Sequence, residues 1–295
     1  MEGDTGIDFP VVSVLLPVRN GGAGFTAAIR SILDQTFVNF ELLVIDDGSF
    51  DDSVNVAMSM GDARIRVFAD GVNRGLAARL NQGIQLARGT YIARMDADDV
   101  SFPDRLQLQF DYLSRHPDVD LLGTRAVVFR NMNDIVGLLP YRATHEEICA
   151  TPWRGLPLPH PSWMGKTSWF RKHRYRTPEV LRAEDQELLL RAAPGSRYAC
   201  IEQVLLGYRQ GVFPIRKVLL ARRQLLLAQA GLFYQRKQWG NLLFATAAGL
   251  AKVAVDCLAA LPGCSRLFFT RMSGAVPDGV VETLQKTLSS IDEQQ

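Results

Sequence analysis

Asp96, Asp98 and Asp99 place three carboxylates within four residues, directly after the short apolar run Tyr91 to Met95. Pro103 then marks the start of a helix. An apolar run that opens into acids reads as a strand delivering carboxylates to the edge of a sheet. Three like charges at such a mouth repel one another and lose hydration, so something cationic must compensate them. Hard oxygen donors at this density suit Mg²⁺ or Mn²⁺, which keep positions open for water and substrate phosphates. An acidic turn capping the following helix would use the same residues without any metal.

The segments before this cluster repeat one pattern. Val11 to Leu16 is a continuous apolar run ending at Pro17, followed by Arg19, Asn20, Gly21, Gly22 and Gly24 and a helical pattern from Thr26 to Gln35. Phe40 to Ile45 runs into Asp46, Asp47, Gly48 and Ser49, and Asp51, Asp52 and Ser53 supply capping residues for a second helix. Arg64 to Phe68 reads as a third strand, leading through Asn73, Arg74 and Gly75 to a helix over Leu76 to Ala87. Strands alternating with short helices predict βαβ units, a mostly parallel Rossmann-like sheet and a ligand crevice at the strands' carboxyl ends. Every polar cluster named lies at that edge.

Two enzyme classes fit such a crevice. A dinucleotide-binding oxidoreductase would use the glycine-rich turn after the first strand and the acid ending the second. Gly21, Gly22 and Gly24 do not spell G-x-G-x-x-G, however, and Asp96 to Asp99 would have no task. A transferase with a nucleotide diphosphate donor gives every edge a task, the fourth-strand acids holding a metal on the pyrophosphate.

Four pieces in order carry a resemblance: VSVLLPVRNG, VIDDGSFDDS, NRGLAARLNQGIQLARGTYIARMDADD and AEDQELLLR. Together they resemble the inverting family 2 glycosyltransferases of the GT-A fold, over roughly residues 10 to 210. The resemblance implies that Pro17 and Val18 line the base pocket through the backbone and that Asp46 or Asp47 contacts base or ribose. It further implies that Arg74 borders the base, with Asn20 and Gly75 in the same donor region, that Asp96 meets the ribose and that Asp98 ligates the metal, Mn²⁺ or Mg²⁺. Inverting transfer needs one carboxylate to take the acceptor hydroxyl's proton. In the family pattern this is the second residue of the Glu-Asp pair, hence Asp185, with Glu184 beside it. Both would equally serve as caps at a positive helix end. Thr151 to Trp169, rich in Pro and Trp, corresponds to the acceptor region, where His160 and Trp163 would lie near acceptor or phosphate. A hydrogen-bonded structural role fits His160 as well.

Composition bounds the remainder. At 295 residues the chain accommodates a catalytic domain, residues 8–212, and a helical C-terminal extension, residues 213–295. The net charge of +2 hides acids between Asp46 and Asp120 and basic residues crowded into 171–176 and 216–237. That layout suggests an anionic partner near the C-terminal half, and no nucleic acid is expected. Cys149, Cys200, Cys257 and Cys264 have no metal-ligand spacing and fit reduced thiols. The acidic N-terminus lacks the apolar stretch of a signal peptide, so a cytoplasmic protein is expected. Leu242 to Leu261 is apolar around most of its circumference, but Lys252 and Asp256 argue against a membrane span. With Gln238, Asn241 and Gly249 they form a polar stripe, leaving a wide apolar face for a second subunit or the membrane surface. Pro262 and Gly263 are expected to end that helix, and the tail is expected to fray from Ser289. The family resemblance implies a nucleotide-sugar donor, a UDP-sugar first, and a lipid-linked saccharide acceptor at the inner face of the cell membrane, in surface-polysaccharide assembly. The basic run Arg171, Lys172, His173, Arg174 and Arg176 is expected to meet that acceptor's phosphates. A GT-A-like binding module without turnover is the non-enzymatic alternative.

Overall fold

The computed structural model describes residues 9–178, 180, 182–211, 215–259 and 275–292. The expected helix end at Pro262 and Gly263, and Cys264, lie outside these residues.

The first half consists of β1 (Val12–Val18), α1 (Gly22–Leu33), β2 (Phe40–Asp46), α2 (Ser53–Ser59), β3 (Ile65–Phe68), α3 (Leu76–Leu86) and β4 (Tyr91–Arg94). Then follow β5 (Val100–Ser101), α4 (Arg105–Arg115), β6 (Leu121–Asn131), β7 (Asp134–Leu138), α5 (His145–Cys149), β8 (Met164–Lys166), α6 (Thr167–Lys172), α7 (Glu184–Ala192) and β9 (Tyr198–Arg209). Three further helices close the described chain: α8 (Ile215–Gln235), α9 (Trp239–Ala259) and α10 (Asp278–Asp292). The strands form one sheet in the order β3-β2-β1-β4-β8-β6-β9-β5, with β7 on β6.

The parallel quartet β3-β2-β1-β4 is the predicted βαβ series. The chain steps outward from β1 to β3 and returns to β4 on the other side of β1, which creates the switch point where ligands bind in open α/β sheets. Pro17 does not end β1: it pairs with Ile45 of β2, while β4 stops opposite Leu15, so nothing on that flank needs the missing N–H. Alternate residues of the central strands face opposite layers. Leu15, Leu43 and Ile45 pack with α3 and α7, whereas Val14, Leu16, Leu42 and Val44 pack with α1 and α4.

Past β4 the sheet turns mixed. β8 runs antiparallel to β4 with Lys166 opposite Tyr91, so the chain leaves β8 at the amino edge, away from the acidic carboxyl edge. The basic run therefore starts at the wrong edge for an acceptor phosphate. Arg171 donates to the Ala87 carbonyl at the end of α3 (3.0 Å), Arg174 to the Asn81 carbonyl (3.2 Å), and Arg176 pairs with the buried Glu187 (3.4 Å). These cations cap a helix and tie α3 to α7 instead of waiting for a ligand.

The C-terminal helices behave differently from one another. α8 seats the buried Leu232 and Phe233 against the α7 layer, each contributing about 2 kcal/mol. α9 lies on α8, with Gly249 against Leu226. α10 returns to the catalytic unit, where Leu284 and Leu288 complete a core with Val100, Phe102, Val127 and Phe129. The expected fraying from Ser289 does not occur before Asp292: Ile291 is buried and its carbonyl accepts from Arg30 (2.7 Å), because the apolar face of α10 extends to that last turn.

Candidate active site

The acids at the carboxyl edge separate into those already engaged and those that face the cleft. Asp46 accepts from the backbone N–H groups of Gly48 (3.0 Å) and Ser49 (3.1 Å). Gly48 has φ +70°, and a Cβ there would stand 2.9 Å from the Asn73 nitrogen, so only glycine allows this approach of the β2 and β3 loops. Asp47 accepts from the backbone of Arg74 (2.7 Å) and Gly75 (3.0 Å), from Asn73 Nδ2 (3.0 Å) and from the buried Arg79 Nε (3.1 Å). The Arg74 side chain pairs with Asp70 (3.1 Å) at the surface. Asn20, at φ +51°, accepts from the Phe50 N–H through Oδ1 (3.0 Å), and the Val18 carbonyl accepts from the Asp47 N–H (2.8 Å). These residues shape the loops around Pro17 and Val18.

The Asp96 to Asp99 turn is divided as well. Both Asp96 oxygens are held by Arg94, which is 2% exposed inside β4. Asp99 is buried and accepts from the Arg209 N–H (2.8 Å); burial first, then the charges of Asp96 and Asp98, raise its carboxyl well above the ordinary range. Its Oδ2 has no hydrogen-bond partner. Asp98 projects from the turn into the cleft, where crowding by the surrounding protein and then the charge of Asp96 raise its carboxyl. Arg209 donates through Nε to the Asp98 carbonyl (2.9 Å), with its guanidinium over Phe129.

Arg94 thus supplies part of the cation that the acidic cluster required. A charged residue inside an apolar strand was the visible signal. No group of three metal-ligating side chains occurs among the described residues. The fit to Mg²⁺ or Mn²⁺ rests instead on one uncommitted carboxylate, Asp98, facing a cleft with room for substrate phosphates, which suits ions bound through one or two carboxylates plus substrate oxygens.

Glu184 and Asp185 open α7 on the other side of this cleft, and Asp98, Glu184, Asp185, Tyr208, Arg209 and Lys217 all line its volume of about 650 Å³. The N-cap residue is Ala183, which offers no side-chain cap, and backbone N–H groups of this first turn favour the charged form of both acids. Burial first and Asp185 second push Glu184 up to about 7, and burial also raises Asp185. Gln186 donates to Asp185 Oδ2 (3.4 Å) and clamps the loop before it, accepting from the Leu156 N–H (2.8 Å) and donating to the Leu156 carbonyl (3.1 Å). His160 lies beneath the site: its Nε2 and the Tyr175 hydroxyl form a 2.7 Å pair, and burial, then Arg94, hold its pKa well below the ordinary value. It is a neutral structural group. Trp163 is 0% exposed, stacks edge-on against His160 and donates to the Leu158 carbonyl, so it is a core residue of this loop.

A parallel half-sheet bearing an acidic turn at its carboxyl edge, opposed across one cleft by a helix-borne Glu-Asp pair, defines a GT-A glycosyltransferase fold. The family model described as Glycosyl transferase family 2 matches residues 13–174, and the chain belongs to that family. It is 34% identical over 187 residues to the putative glycosyltransferase EpsE of Bacillus subtilis, a match covering 62% of this chain and 66% of that one. It is 30% identical over 144 residues to the UDP-Glc:alpha-D-GlcNAc-diphosphoundecaprenol beta-1,3-glucosyltransferase WfgD of Escherichia coli, covering 48% and 56%. Among solved structures, S. aureus TarS 1-349 in complex with UDP-GlcNAc superposes with a TM-score of 0.59 at 13% identity, covering 96% of this chain and 92% of that one. The mannosyltransferase PcManGT of Pyrobaculum calidifontis, in complex with GDP-Man and Mn²⁺, gives 0.58 at 18%, covering 97% and 87%.

Proposed function

We propose that the protein is a metal-dependent inverting glycosyltransferase, moving a hexosyl or N-acetylhexosaminyl group from a nucleoside diphosphate sugar, a UDP-sugar first, to a hydroxyl of a lipid-linked saccharide in surface-polysaccharide assembly. The observation that carries this reading is the single cleft shared by Asp98 and Asp185. Asp185 accepts the acceptor hydroxyl's proton as that oxygen attacks the anomeric carbon, and the bond from that carbon to the diphosphate breaks on the opposite face. Its raised pKa makes it a better proton acceptor than an ordinary aspartate. Arg209 and Lys217 line the same cleft and offset the charge gathering on the departing diphosphate. Mn²⁺ or Mg²⁺ at Asp98, when bound, would add Lewis-acid compensation of that charge. Pro17, Val18, Asn20, Arg74, Gly75 and Asp96 surround the nucleoside on this reading, with Asp46 and Asp47 fixing the loops.

The name of WfgD supports a UDP-sugar and a lipid diphosphate acceptor, TarS in complex with UDP-GlcNAc supports the UDP-sugar, and PcManGT with Mn²⁺ supports the metal. The outward face of α9 supports a position in the cytoplasm at the inner face of the cell membrane, with a homodimer through that face as the alternative. A binding module without turnover would have no use for both Asp98 and Asp185 open to one cleft. The test is transfer from a panel of nucleotide sugars with and without Mn²⁺. Wild type should transfer one sugar with metal present, and Asp185→Asn should lose kcat by about a thousandfold while binding the nucleotide normally. Parallel loss of nucleotide binding and turnover would make Asp185 structural.

A further inference from the structure

A second groove of about 750 Å³ joins the catalytic cleft side to side, sharing Gln186, Arg222 and Leu225 with it. Its walls are apolar, formed by Trp153, Leu156, Pro157, Leu225, Ala248 and Ala251. Around them stand Arg142, which donates to the Tyr141 carbonyl (2.8 Å), Arg154, over the Trp153 ring (4.6 Å), and Lys252, which donates to the Arg154 carbonyl (2.8 Å). The carboxylate in the groove, Glu147, is occupied in accepting from the N–H groups of Ala143 (3.0 Å) and Thr144 (3.3 Å), and Arg222 is paired with Asp256 (2.8 Å). Gly155, at φ +97°, lies so close to Gln186 that a Cβ would stand 2.8 Å from its Oε1, and the paired hydrogen bonds between Gln186 and Leu156 hold the loop wall to the helix bearing Asp185. The far wall is α9, whose opposite side exposes Leu243 and Leu250, while Phe244 lies against Trp153 (ring centroids 5.5 Å).

An apolar channel with cations at its rim, leading from a sugar-transfer cleft to an exposed apolar helix, has the chemistry of a site for an anionic amphiphile. We infer that this groove binds the lipid diphosphate part of the acceptor, the diphosphate among Arg142, Arg154 and Lys252 and the hydrocarbon passing along α9, so that the attached sugar reaches Asp185 past Gln186. This rests on the lipid-linked acceptor of the reading above. Its two supports are the charge complementarity of the rim and the continuity of the groove with the cleft.

Binding of farnesyl diphosphate to the full-length protein tests it without requiring turnover. Wild type should bind the probe, inorganic diphosphate should bind at least tenfold more weakly, and Ala248→Trp, which fills the groove, should weaken farnesyl diphosphate at least tenfold with UDP affinity within twofold of wild type. Ala251→Trp repeats the test should the first variant not fold. Equal affinity for farnesyl and inorganic diphosphate, or unchanged farnesyl diphosphate binding in a folded Ala248→Trp or Ala251→Trp protein, overturns the inference. A protein that binds farnesyl diphosphate in this pattern but transfers no sugar would defeat the proposed reaction and leave the groove assignment standing.

Discussion

Arg94 holds both carboxylate oxygens of Asp96 from within the strand that presents the acidic turn, and it is almost fully buried while Asp96 keeps 30% of its side chain exposed. The pair fixes the first residue of the turn and leaves Asp98 to face the cleft. Its burial makes it sensitive to one-sided loss: Arg94→Met leaves Asp96 without its cation. We expect a loss of about 3 kcal/mol in stability, read by urea denaturation. A change below about 0.5 kcal/mol would mean that water replaces the guanidinium at no cost.

Replacing Asp98 by Asn keeps the shape of the turn and removes the uncommitted carboxylate. Metal-dependent turnover should fall by about a hundredfold or more, with the thermal midpoint unchanged or raised, since a crowded carboxyl near Asp96 is removed. Undiminished activity of Asp98→Asn, or of wild type in EDTA, would remove the metal from the mechanism.

Glu184 carries a pH prediction for stability. Its folded pKa of about 7 lies above the ordinary value near 4.5, so the folded state holds a proton that the unfolded state releases. The contribution is complete below about pH 4.5 and is lost as pH rises through 7. Glu184→Gln, which stays neutral, should match wild type at pH 4.5 and exceed its thermal midpoint at pH 8. Midpoints that track each other across this range would show Glu184 to be hydrated and unperturbed.

These expectations depend on partners that the linear sequence does not display. The strands and the acids at their ends were legible because each βαβ unit places an apolar run, a polar turn and a helical period within about thirty residues. Asp47 is bound by groups from Asn73 to Arg79, and Asp99 by the backbone of Arg209, 110 residues away. Local spacing identifies such acids as edge residues but cannot tell an engaged carboxylate from one that faces substrate. The basic run 171–176 misled for a related reason: the antiparallel direction of β8, a pairing property, starts it at the amino edge, and Arg171, Arg174 and Arg176 are then taken up by groups of α3 and α7. Leu284 and Leu288 form an ordinary amphipathic stripe, and only the sheet edge they cover shows that α10 belongs to the catalytic unit.

The orientation of α9 supports the last prediction. Its polar residues turn inward: Asp256 pairs with Arg222 (2.8 Å), and Lys252 donates to the Arg154 carbonyl (2.8 Å). Its large apolar residues turn outward, Leu243 being 69% and Leu250 66% exposed, so over Trp239–Leu258, about 30 Å of helix, the protein covers little. With Asp256 fastened to α8 and Lys252 to the Arg154 carbonyl, the helix fits a position flat in an interface better than a span. Residues 215–259 carry seven Lys and Arg against the single acid Asp256, which complements an anionic bilayer. The protein should float with anionic liposomes at low salt and be released as salt rises. Leu243→Ser combined with Leu250→Ser, losing about 1 kcal/mol of apolar transfer at each site, should weaken that binding roughly thirtyfold, with donor hydrolysis retained. A protein that stays with the soluble fraction at low salt, as a discrete dimer that the double variant dissociates, would assign the face to a second copy of the chain instead.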